Sequence, residues 1–592
     1  MTPPFREILR RLQQSRLLPL IILPAIIIAF AFLVLGLHPI NIFGLTQDDS
    51  IYFSSAQALS EGRGYILPSL PGTPDATKYP ILYPLILSAV WKFDSSFPGN
   101  IMWGVVLNLA LGAVFICLCY LFCRRCLGQR RLQSLLVAAY CGLHALTVFY
   151  SALLMSDMLF VSLVLGVFLL IATRLPAGWQ VNALGAGLLC GLACLCRTAG
   201  IPMACGILLY LAWDRRWKGA LAFLAGLLPA LAANLLLLRN AATNPPVGFS
   251  AQFPGWAQTW YYYTSYGKFR ALDSPSFSLK FTFLLNQILY LVAAVPRYLL
   301  SPLGDANIVF WLISTFAIAL AAVAGIIRLC RVPTARSVCA VLVCYVAVLL
   351  AWDFPAWDRF LLPFLPFFVA AIATQVATWA VDVWQFLKGT HDWLSRSLAA
   401  ALLLFMTVLL ICTVFNFLRT SRTGLIELSK ERGELNHERM QAFDWIRAHT
   451  RPDELVVAND DVVTFLYTGR QSITPLSPLP ADLYDARVLH DDLAHFWDTA
   501  HVLGASYWLT DDDEQVRGLR GLRPAFLARI RESQSALPVA FQTGGRRGVQ
   551  LHELRCVRRP EEPSCAAAAP VLFPAHNGQG KAVSERPSVH NK

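Results

Sequence analysis

The feature that most constrains this chain is the recurrence of uncharged apolar runs. A run of about 20 such residues crosses the hydrocarbon core of a bilayer as one helix, and runs of this kind recur between residues 17 and 417. Hydrophobic residues make up 56% of the 592 residues. Charged residues make up 15%, against about 25% in soluble domains. The sequence therefore predicts a polytopic α-helical membrane protein and excludes a water-soluble enzyme.

About eleven spans are predicted, with the N-terminus in the cytoplasm and the C-terminus on the outer face of a bacterial inner membrane. Clusters of arginine and lysine mark cytoplasmic loops, and they precede the first apolar run and follow the second and the eighth. The first run is too long for the core of a cleaved signal peptide, so we expect an anchor. The approximate spans are residues 17–37, 101–123, 134–150, 157–173, 181–196, 200–213, 219–238, 307–327, 338–352, 359–381 and 398–417.

Two long segments, residues 38–100 and 239–305, fall on the outer face in this topology. Within the first, residues 81–93 are apolar but too short to cross, so we expect them to lie in the outer leaflet. Within the second, residues 281–303 are long enough to cross but carry polar residues and Pro296. We predict an interfacial helix pair there; a crossing would reverse the side of everything that follows. An aromatic cluster typical of a headgroup interface, with sugar stacking as the alternative, comprises Trp256, Trp260, Tyr261, Tyr262, Tyr263 and Tyr266.

The composition changes near residue 418, and residues 418–558 are predicted to form a small α/β domain outside the membrane. A helix is expected over residues 427–445, buried strands over residues 454–458 and 506–509, and a hairpin over residues 539–554. The run Asp511–Glu514 is interpreted as a solvated acidic loop. Cys556 and Cys565 either form a disulfide or remain free thiols. The Ala- and Pro-rich tail, residues 559–592, is expected to be disordered.

The candidate catalytic feature is the acidic doublet Asp48-Asp49, directly after the first apolar run. Carboxylates beside a membrane span are costly unless they have a function. The alternative is that they begin a helix, because carboxylates accept hydrogen bonds from free backbone N–H groups there and suit the helix dipole. Tyr52, Ala56 and Leu59 recur at helical spacing behind the doublet. Spacing alone slightly favours the helix-start interpretation.

A family resemblance changes this balance. Residues 48–52, 58–65 and 77–84 (DDSIY, ALSEGRGY and TKYPILYP) resemble the first outer loop of GT-C glycosyltransferases. The likeness is strongest to bacterial relatives of protein O-mannosyltransferases and of the aminoarabinose transferase acting on lipid A. Residues 359–363 (RFLLP) look like the element that opens a late span in those families, and residues 445–470 look like part of their appended domain. The sequence departs from the pattern in having Asp49 where Glu is commoner and Ile81 where a second proline is usual.

The resemblance implies an inverting transfer of a sugar from a polyprenyl-phosphate donor to a lipid, glycan or protein hydroxyl. Asp48 would act as the general base, and Asp49 would orient it or help to bind substrate. Asp157 matches the place of a second acid, with a helix cap as the alternative. Lys78 and Arg359 would hold the lipid phosphate, with snorkelling or interfacial anchoring as the alternatives.

The other candidates have weaker signals. Tyr52 and Tyr79 are predicted to bind substrate because they lie in the segments that resemble the family. Arg197 is a further phosphate candidate, although snorkelling is the simpler interpretation of an arginine between two spans. The remaining candidates, weaker still, are Arg63, Arg270 and Arg297.

No cofactor is expected. The sequence has no Walker or Rossmann glycine motif, its 11 histidines are scattered, and the lone pair Cys123-x-x-Cys126 lacks the partners of a metal site. Some relatives bind a divalent ion near the acidic pair, and Asp48, Asp49 and Asp157 would hold one, but nothing further supports a metal. The net charge of +12 fits loops that face anionic lipid rather than nucleic acid.

Two other classes of function compete with the enzyme. A transporter or flippase of lipid-linked glycans predicts internal repeats and charged or broken helices at mid-membrane, whereas the sequence shows no repeat and its acids gather at the outer boundary. A membrane-anchored binding or sensing protein needs far fewer than eleven spans. Neither the sugar nor the acceptor follows from the sequence.

Overall fold

The structure is a computed structural model of the chain. It describes residues 16–173, 178–243, 277–300, 308–352, 358–389, 423–475, 499–511 and 537–554, with isolated positions between 393 and 408 and at 535. The membrane part of the described chain is almost entirely helical. Its helices are α1 (Leu18–Leu35), α2 (Pro39–Ile42), α3 (Asp48–Ser60), α4 (Leu82–Phe93), α5 (Ile101–Arg125), α6 (Arg131–Leu143), α7 (Ala145–Ala152), α8 (Asp157–Ala172), α9 (Trp179–Cys196), α10 (Gly200–Trp213), α11 (Trp217–Thr243), α12 (Phe277–Leu300), α13 (Ile308–Cys330), α14 (Arg336–Leu350) and α15 (Leu365–Gly389).

Six helical segments of the described chain are long and apolar enough to cross a membrane. They are Leu18–Leu35, Ile101–Arg125, Trp179–Cys196, Trp217–Arg239, Pro333–Leu350 and Arg359–Lys388. A seventh is added if α6 and α7, bent by 48° at His144, count as one span. Shorter apolar helices include α4, α8 and α10. The polytopic helical architecture is confirmed, while the number of about eleven spans stays a prediction.

Small residues set how closely the membrane helices pack. A Cβ added at Gly187 of α9 would lie 2.1 Å from the carbonyl oxygen of Phe223 in α11, so the two backbones are in direct contact. A Cβ added at Gly206 of α10 would lie 2.4 Å from the Cα of Val341 in α14, so these two backbones are also in direct contact. Close backbone approach through glycine is a recurrent mode of helix association in membranes. These contacts pack α9 closely against α11 and α10 closely against α14.

The first outer segment forms a layer of two short helices. Helix α3 is buried along most of its length, and α4 packs across it, with the indole N–H of Trp91 donating to the carbonyl oxygen of Phe53 at 3.0 Å. Ring contacts between Phe53, Trp91 and Phe97 fill the space between them. The predicted apolar element over residues 81–93 is therefore a 12-residue helix, too short to span. This layer holds the start of α3 firmly in place.

The predicted interfacial helix pair over residues 281–303 is wrong in one respect: the chain forms a single helix, α12, of 24 residues. At about 36 Å it is long enough to cross a bilayer. However, Gln287 near its middle donates from Nε2 to the carbonyl oxygen of Trp352, just beyond the end of α14, at 2.6 Å. If α12 crossed the membrane beside α14, the middle of α12 would lie next to the middle of α14. The contact therefore favours a position along the membrane surface.

The C-terminal region contains the predicted α/β elements. These are α16 (Leu425–His449), β1 (Val456–Ala458), α17 (Asp461–Thr468), β2 (Ser472–Ile473), β3 (Tyr507–Thr510), β4 (Val539–Gln542) and β5 (Gln550–Glu553). The strands form one sheet in the order β2-β1-β3-β5-β4. Strand β1 pairs parallel with β2 and β3, and β5 pairs antiparallel with β3 and β4. The helix, both buried strands and the hairpin predicted from the sequence are confirmed.

The interpretation of Asp511 as part of a solvated loop is wrong. Its side chain is 4% exposed, and its carboxylate pairs with Nε of Arg439 at 2.5 Å. Arg439 and Arg432 of α16 both contact the carboxylate of Asp460 as well. Asp511 follows β3, at the carboxyl end of the parallel strands. Arg432 and Arg439 of α16 lie at that same end. Residues 512–514 lie outside the described residues.

Several other predictions also concern residues outside the described ranges. They are the aromatic cluster over residues 256–266, Arg270, most of the span predicted over residues 398–417, the cysteines Cys556 and Cys565, and the tail over residues 559–592.

The predicted topology places Ser95 and Arg331 on opposite sides of the membrane. Ser95 is exposed on the outer segment and Arg331 on the turn between α13 and α14. We expect a membrane-impermeant maleimide to label Ser95→Cys in right-side-out vesicles. Arg331→Cys should react only after permeabilisation. The parent chain, with its own exposed Cys205, gives the background signal, and equal labelling of both variants in intact vesicles would contradict the topology.

Candidate active site

The acidic doublet lies at the edge of a cavity of about 390 Å³ between the outer segment and the ends of the membrane helices. Six predicted site residues line it: Asp48, Tyr52, Lys78, Tyr79, Arg197 and Arg359. They come from α3, the loop before α4, the end of α9 and the 3-10 helix Asp358–Phe364 that precedes α15. The apolar part of the lining includes Ile201, Val348, Leu349, Trp352 and Phe360. Because all these segments share one cavity, their ends lie at the same end of the helix bundle.

Asp48 is held on the cavity wall by two partners. Its Oδ2 pairs with Nη1 of Arg359 at 2.7 Å, and its Oδ1 accepts a hydrogen bond from the Tyr79 hydroxyl at 2.6 Å. Burial raises the pKa of Asp48, but Arg359, Tyr79 and the nearby ammonium of Lys78 together hold this pKa below its usual value. The side chain remains 14% exposed. Asp48 is therefore an ionised carboxylate that faces the cavity.

Asp49 points away from the cavity. It is fully buried, its Oδ2 accepts from the Gly44 N–H at 2.8 Å, and its Oδ1 accepts from the Thr46 hydroxyl at 3.1 Å. Burial raises the pKa of Asp49 to about 6, against the effect of these hydrogen bonds. The contacts fasten the turn that leads into α3. The helix-start interpretation of the doublet thus fits Asp49, while the carboxylate of Asp48 is engaged with cavity residues.

A second ion pair lies behind the same wall. Asp157, the first residue of α8, is 3% exposed and pairs through Oδ2 with Nη1 of Arg197 at 2.7 Å. The Ser156 hydroxyl lies 3.2 Å from the Tyr52 hydroxyl and accepts from Arg197 at 3.4 Å. Asp157 and Ser156 therefore hold Arg197 and Tyr52 in position at the cavity surface.

Lys78 supplies the third cation of the cavity wall. Its Nζ lies 5.4 Å from the centroid of the Tyr79 ring, and burial lowers its pKa to about 8, against the attraction of Asp48. Among the described residues of this site, the cations Lys78, Arg197 and Arg359 face the carboxylates of Asp48 and Asp157, which leaves one positive charge in excess. A lining that contains both cations and apolar side chains suits an amphiphilic anion.

Other candidates do not reach this cavity. Arg63 is exposed and pairs with Glu61 on the far end of α3, and the side chain of Arg297 is outside the described residues. Cys123 and Cys126 are buried free thiols. Within the described ranges, no group of three or more His, Cys, Asp or Glu residues is arranged to hold a metal ion.

Sequence reasoning missed three residues of the site. Ser156 directly precedes Asp157, but from the sequence its position indicates only the start of a helix. Tyr345 and Trp352 line the cavity from the end of α14, where an aromatic residue also suits an ordinary membrane interface. Nothing in their local pattern distinguishes the two roles.

The sequence matches no known family model and no curated protein. Similar solved structures include ArnT from Cupriavidus metallidurans bound to undecaprenyl phosphate, at 12% identity and a TM-score of 0.46, covering 91% of this chain and 98% of that one. The oligosaccharyltransferase of Archaeoglobus fulgidus, tethered with an acceptor peptide, is similar at 13% identity and a TM-score of 0.49, covering 85% of this chain and 69% of that one. Both are GT-C glycosyltransferases, the class that the sequence resembles. At these identities and TM-scores the similarity supports no inference about the activity of this chain.

The environment of Asp49 predicts its effect on stability. Asp49→Ala leaves the buried Gly44 N–H without its acceptor, so we expect the free energy of unfolding to fall by about 1–3 kcal/mol. Asp49→Asn keeps one carbonyl oxygen for Gly44 and should cost much less. The exposed Asp453→Ala is the control. Thermal unfolding in detergent measures all three, and equal midpoints for the alanine variants would refute this role.

Proposed function

We propose that this chain is an integral-membrane glycosyltransferase that moves a sugar from a polyprenyl phosphate to a hydroxyl of a lipid, glycan or protein on the outer face. The observation that carries the proposal is an ionised carboxylate, Asp48, held between Tyr79 and Arg359 in a cavity lined by both cationic and apolar side chains. The phosphate and the prenyl chain of such a donor need these two kinds of surface side by side.

In this mechanism the acceptor hydroxyl attacks the anomeric carbon as Asp48 takes its proton. The bond between that carbon and the phosphate oxygen breaks, and the polyprenyl phosphate leaves with the electron pair. Lys78 and Arg359 neutralise the charge that develops on the phosphate. Attack from the face opposite the leaving group inverts the anomeric configuration. Atoms and charges balance without a metal or a second cofactor.

The ion pair of Asp48 with Arg359 links donor binding to catalysis. A carboxylate paired with a guanidinium is a weak base, because the cation stabilises its ionised form. A guanidinium can bond phosphate through two donors, so the donor competes with Asp48 for Arg359. Binding of the donor therefore raises the basicity of Asp48 when an acceptor is needed.

The roles of the other residues that line the cavity follow from their positions around Asp48. Arg197, set by Asp157 and Ser156, faces the phosphate or the sugar, and Tyr52 and Tyr79 shape the space beside Asp48. We propose residues 1–417 as the transferase domain and residues 418–558 as an extracytoplasmic domain of a bacterial inner-membrane protein with a cytoplasmic N-terminus.

The proposed role of Asp48 as the base predicts that its substitution strongly lowers the rate of sugar transfer. Asp48→Asn keeps the shape and an acceptor for Tyr79 but cannot take a proton, so we expect transfer to fall by about 10²–10⁴-fold. The assay follows labelled sugar from undecaprenyl-phosphate hexose or pentose into an envelope extract. Binding of undecaprenyl phosphate should persist, because Lys78 and Arg359 remain.

Asp75→Asn is the matched control for this test, since Asp75 lies in the same outer loop without lining the cavity. It should transfer sugar at the parent rate. Near-normal transfer by Asp48→Asn would show that Asp48 is not the base.

Lys78 predicts a pH dependence of donor binding. Because its pKa is lowered to about 8, the free protein loses this cation as pH rises through that value. We expect the affinity for undecaprenyl phosphate to fall gradually between pH 7 and pH 8, where Lys78 is partly deprotonated, and more steeply above pH 8. Lys78→Arg, which remains charged, should remove the dependence. An equal decline in both proteins, measured by equilibrium binding in detergent, would contradict the assignment.

A further inference from the structure

The C-terminal α/β region reaches the acidic doublet directly. Gln47, which precedes Asp48 and lines the cavity, donates from Nε2 to Oδ1 of Asp461 at 3.1 Å. Asp461 is the first residue of α17 and is fully buried. It does not line the cavity. A residue far along the chain therefore contacts the residue next to the proposed base.

The backbone of Gln47 explains why this contact matters. Gln47 has φ +59° and ψ −41°, a conformation that a residue with a side chain rarely adopts. Such a conformation persists only where surrounding contacts hold it. It turns the chain from the loop into α3, so it sets the direction in which the next residue, Asp48, leaves the backbone. The hydrogen bond to Asp461 restrains this turn from outside the membrane part.

Other contacts show that α17 is firmly seated on the outer loop. Gly44 has φ +85°, and a Cβ there would lie 2.3 Å from Cγ2 of Val463. The Phe97 and Tyr467 rings lie 4.7 Å apart between centroids. The Ser472 N–H donates to the Ser69 carbonyl oxygen at 2.8 Å. Asp461 is thus held by a rigid contact rather than by one flexible side chain.

We propose that Asp461 is a positioning residue for Asp48 and acts through Gln47. The inference rests on the proposed transferase function, in which the orientation of the Asp48 carboxylate toward the acceptor limits the rate. Loss of the Asp461 carboxylate frees Gln47 to relax toward negative φ. The Asp48 side chain then turns away from the place where it takes the proton. Donor binding by Lys78 and Arg359 does not require this turn, because the phosphate replaces Asp48 as the partner of Arg359.

The test measures sugar transfer and undecaprenyl phosphate binding with the full chain. Asp461→Ala removes a hydrogen bond to a charged group, so we expect kcat to fall about ten- to a hundredfold. The KM for the donor should not rise and the affinity for undecaprenyl phosphate should not fall, because displacement of Asp48 leaves Arg359 available to the phosphate. Asp461→Asn keeps an acceptor for Gln47 and should restore most of the rate. Asp453→Ala, an exposed aspartate of the same region, should match the parent chain.

Substitutions at Gln47 test the same link from the other side and remain informative if Asp461→Ala fails to fold. Combining Gln47→Ala with Asp461→Ala should lower kcat no further than Gln47→Ala alone, since both remove one interaction. Gln47→Gly also lacks the side chain but adopts positive φ without strain, so it should be faster than Gln47→Ala.

Three results would overturn the inference: a rate for Asp461→Ala equal to that of Asp453→Ala, additive losses in the double variant, or Gln47→Gly no faster than Gln47→Ala. Asp48→Asn is measured alongside to separate this inference from the proposed function. If Asp48→Asn is inactive while Asp461→Ala is normal, only the positioning role fails. If Asp48→Asn is fully active, the transferase mechanism itself fails.

Discussion

The site depends on the ion pair between Asp48 and Arg359. A single charge at the boundary of a bilayer is expensive, but two opposite charges in contact stabilise each other. The pair joins the first outer loop to the 3-10 helix before α15, segments that no local contact would bring together. The pair of Asp157 with Arg197 repeats this arrangement one layer behind. Together they fix which helix ends meet and where the cavity opens.

Adjacent acids in this site have opposite environments. Asp48 has a cation and a hydroxyl as partners, which keep its pKa low. Asp49 has only neutral hydrogen-bond donors in a buried turn, and its pKa is raised to about 6. Environment rather than residue type therefore separates a charged group that faces the cavity from a structural group that fastens the turn. The same contrast explains why the sequence of the doublet is compatible with both interpretations, since its two residues have different surroundings.

Much of the architecture could be predicted because local pattern determines it. Apolar runs of membrane length and the short continuous apolar run at residues 455–458 indicate burial directly. The errors have physical causes. Pro296 removes one hydrogen bond from α12 without ending it, so the predicted break is absent. Asp511 belongs to an acidic run, and composition alone does not show the arginines of α16 that bury it. The candidate residues came from a family resemblance, but their distances arise only when distant segments fold together.

The change in composition near residue 418 is not a boundary of the site. Asp461 contacts Gln47 across it, and Ser472 contacts Ser69. A strained turn costs free energy, which contacts elsewhere must offset. In this chain part of that stabilisation comes from α17 of the C-terminal α/β region. The geometry around Asp48 is therefore a property of both regions together, because neither the loop before α3 nor the α/β region contains all the contacts that hold this turn in place.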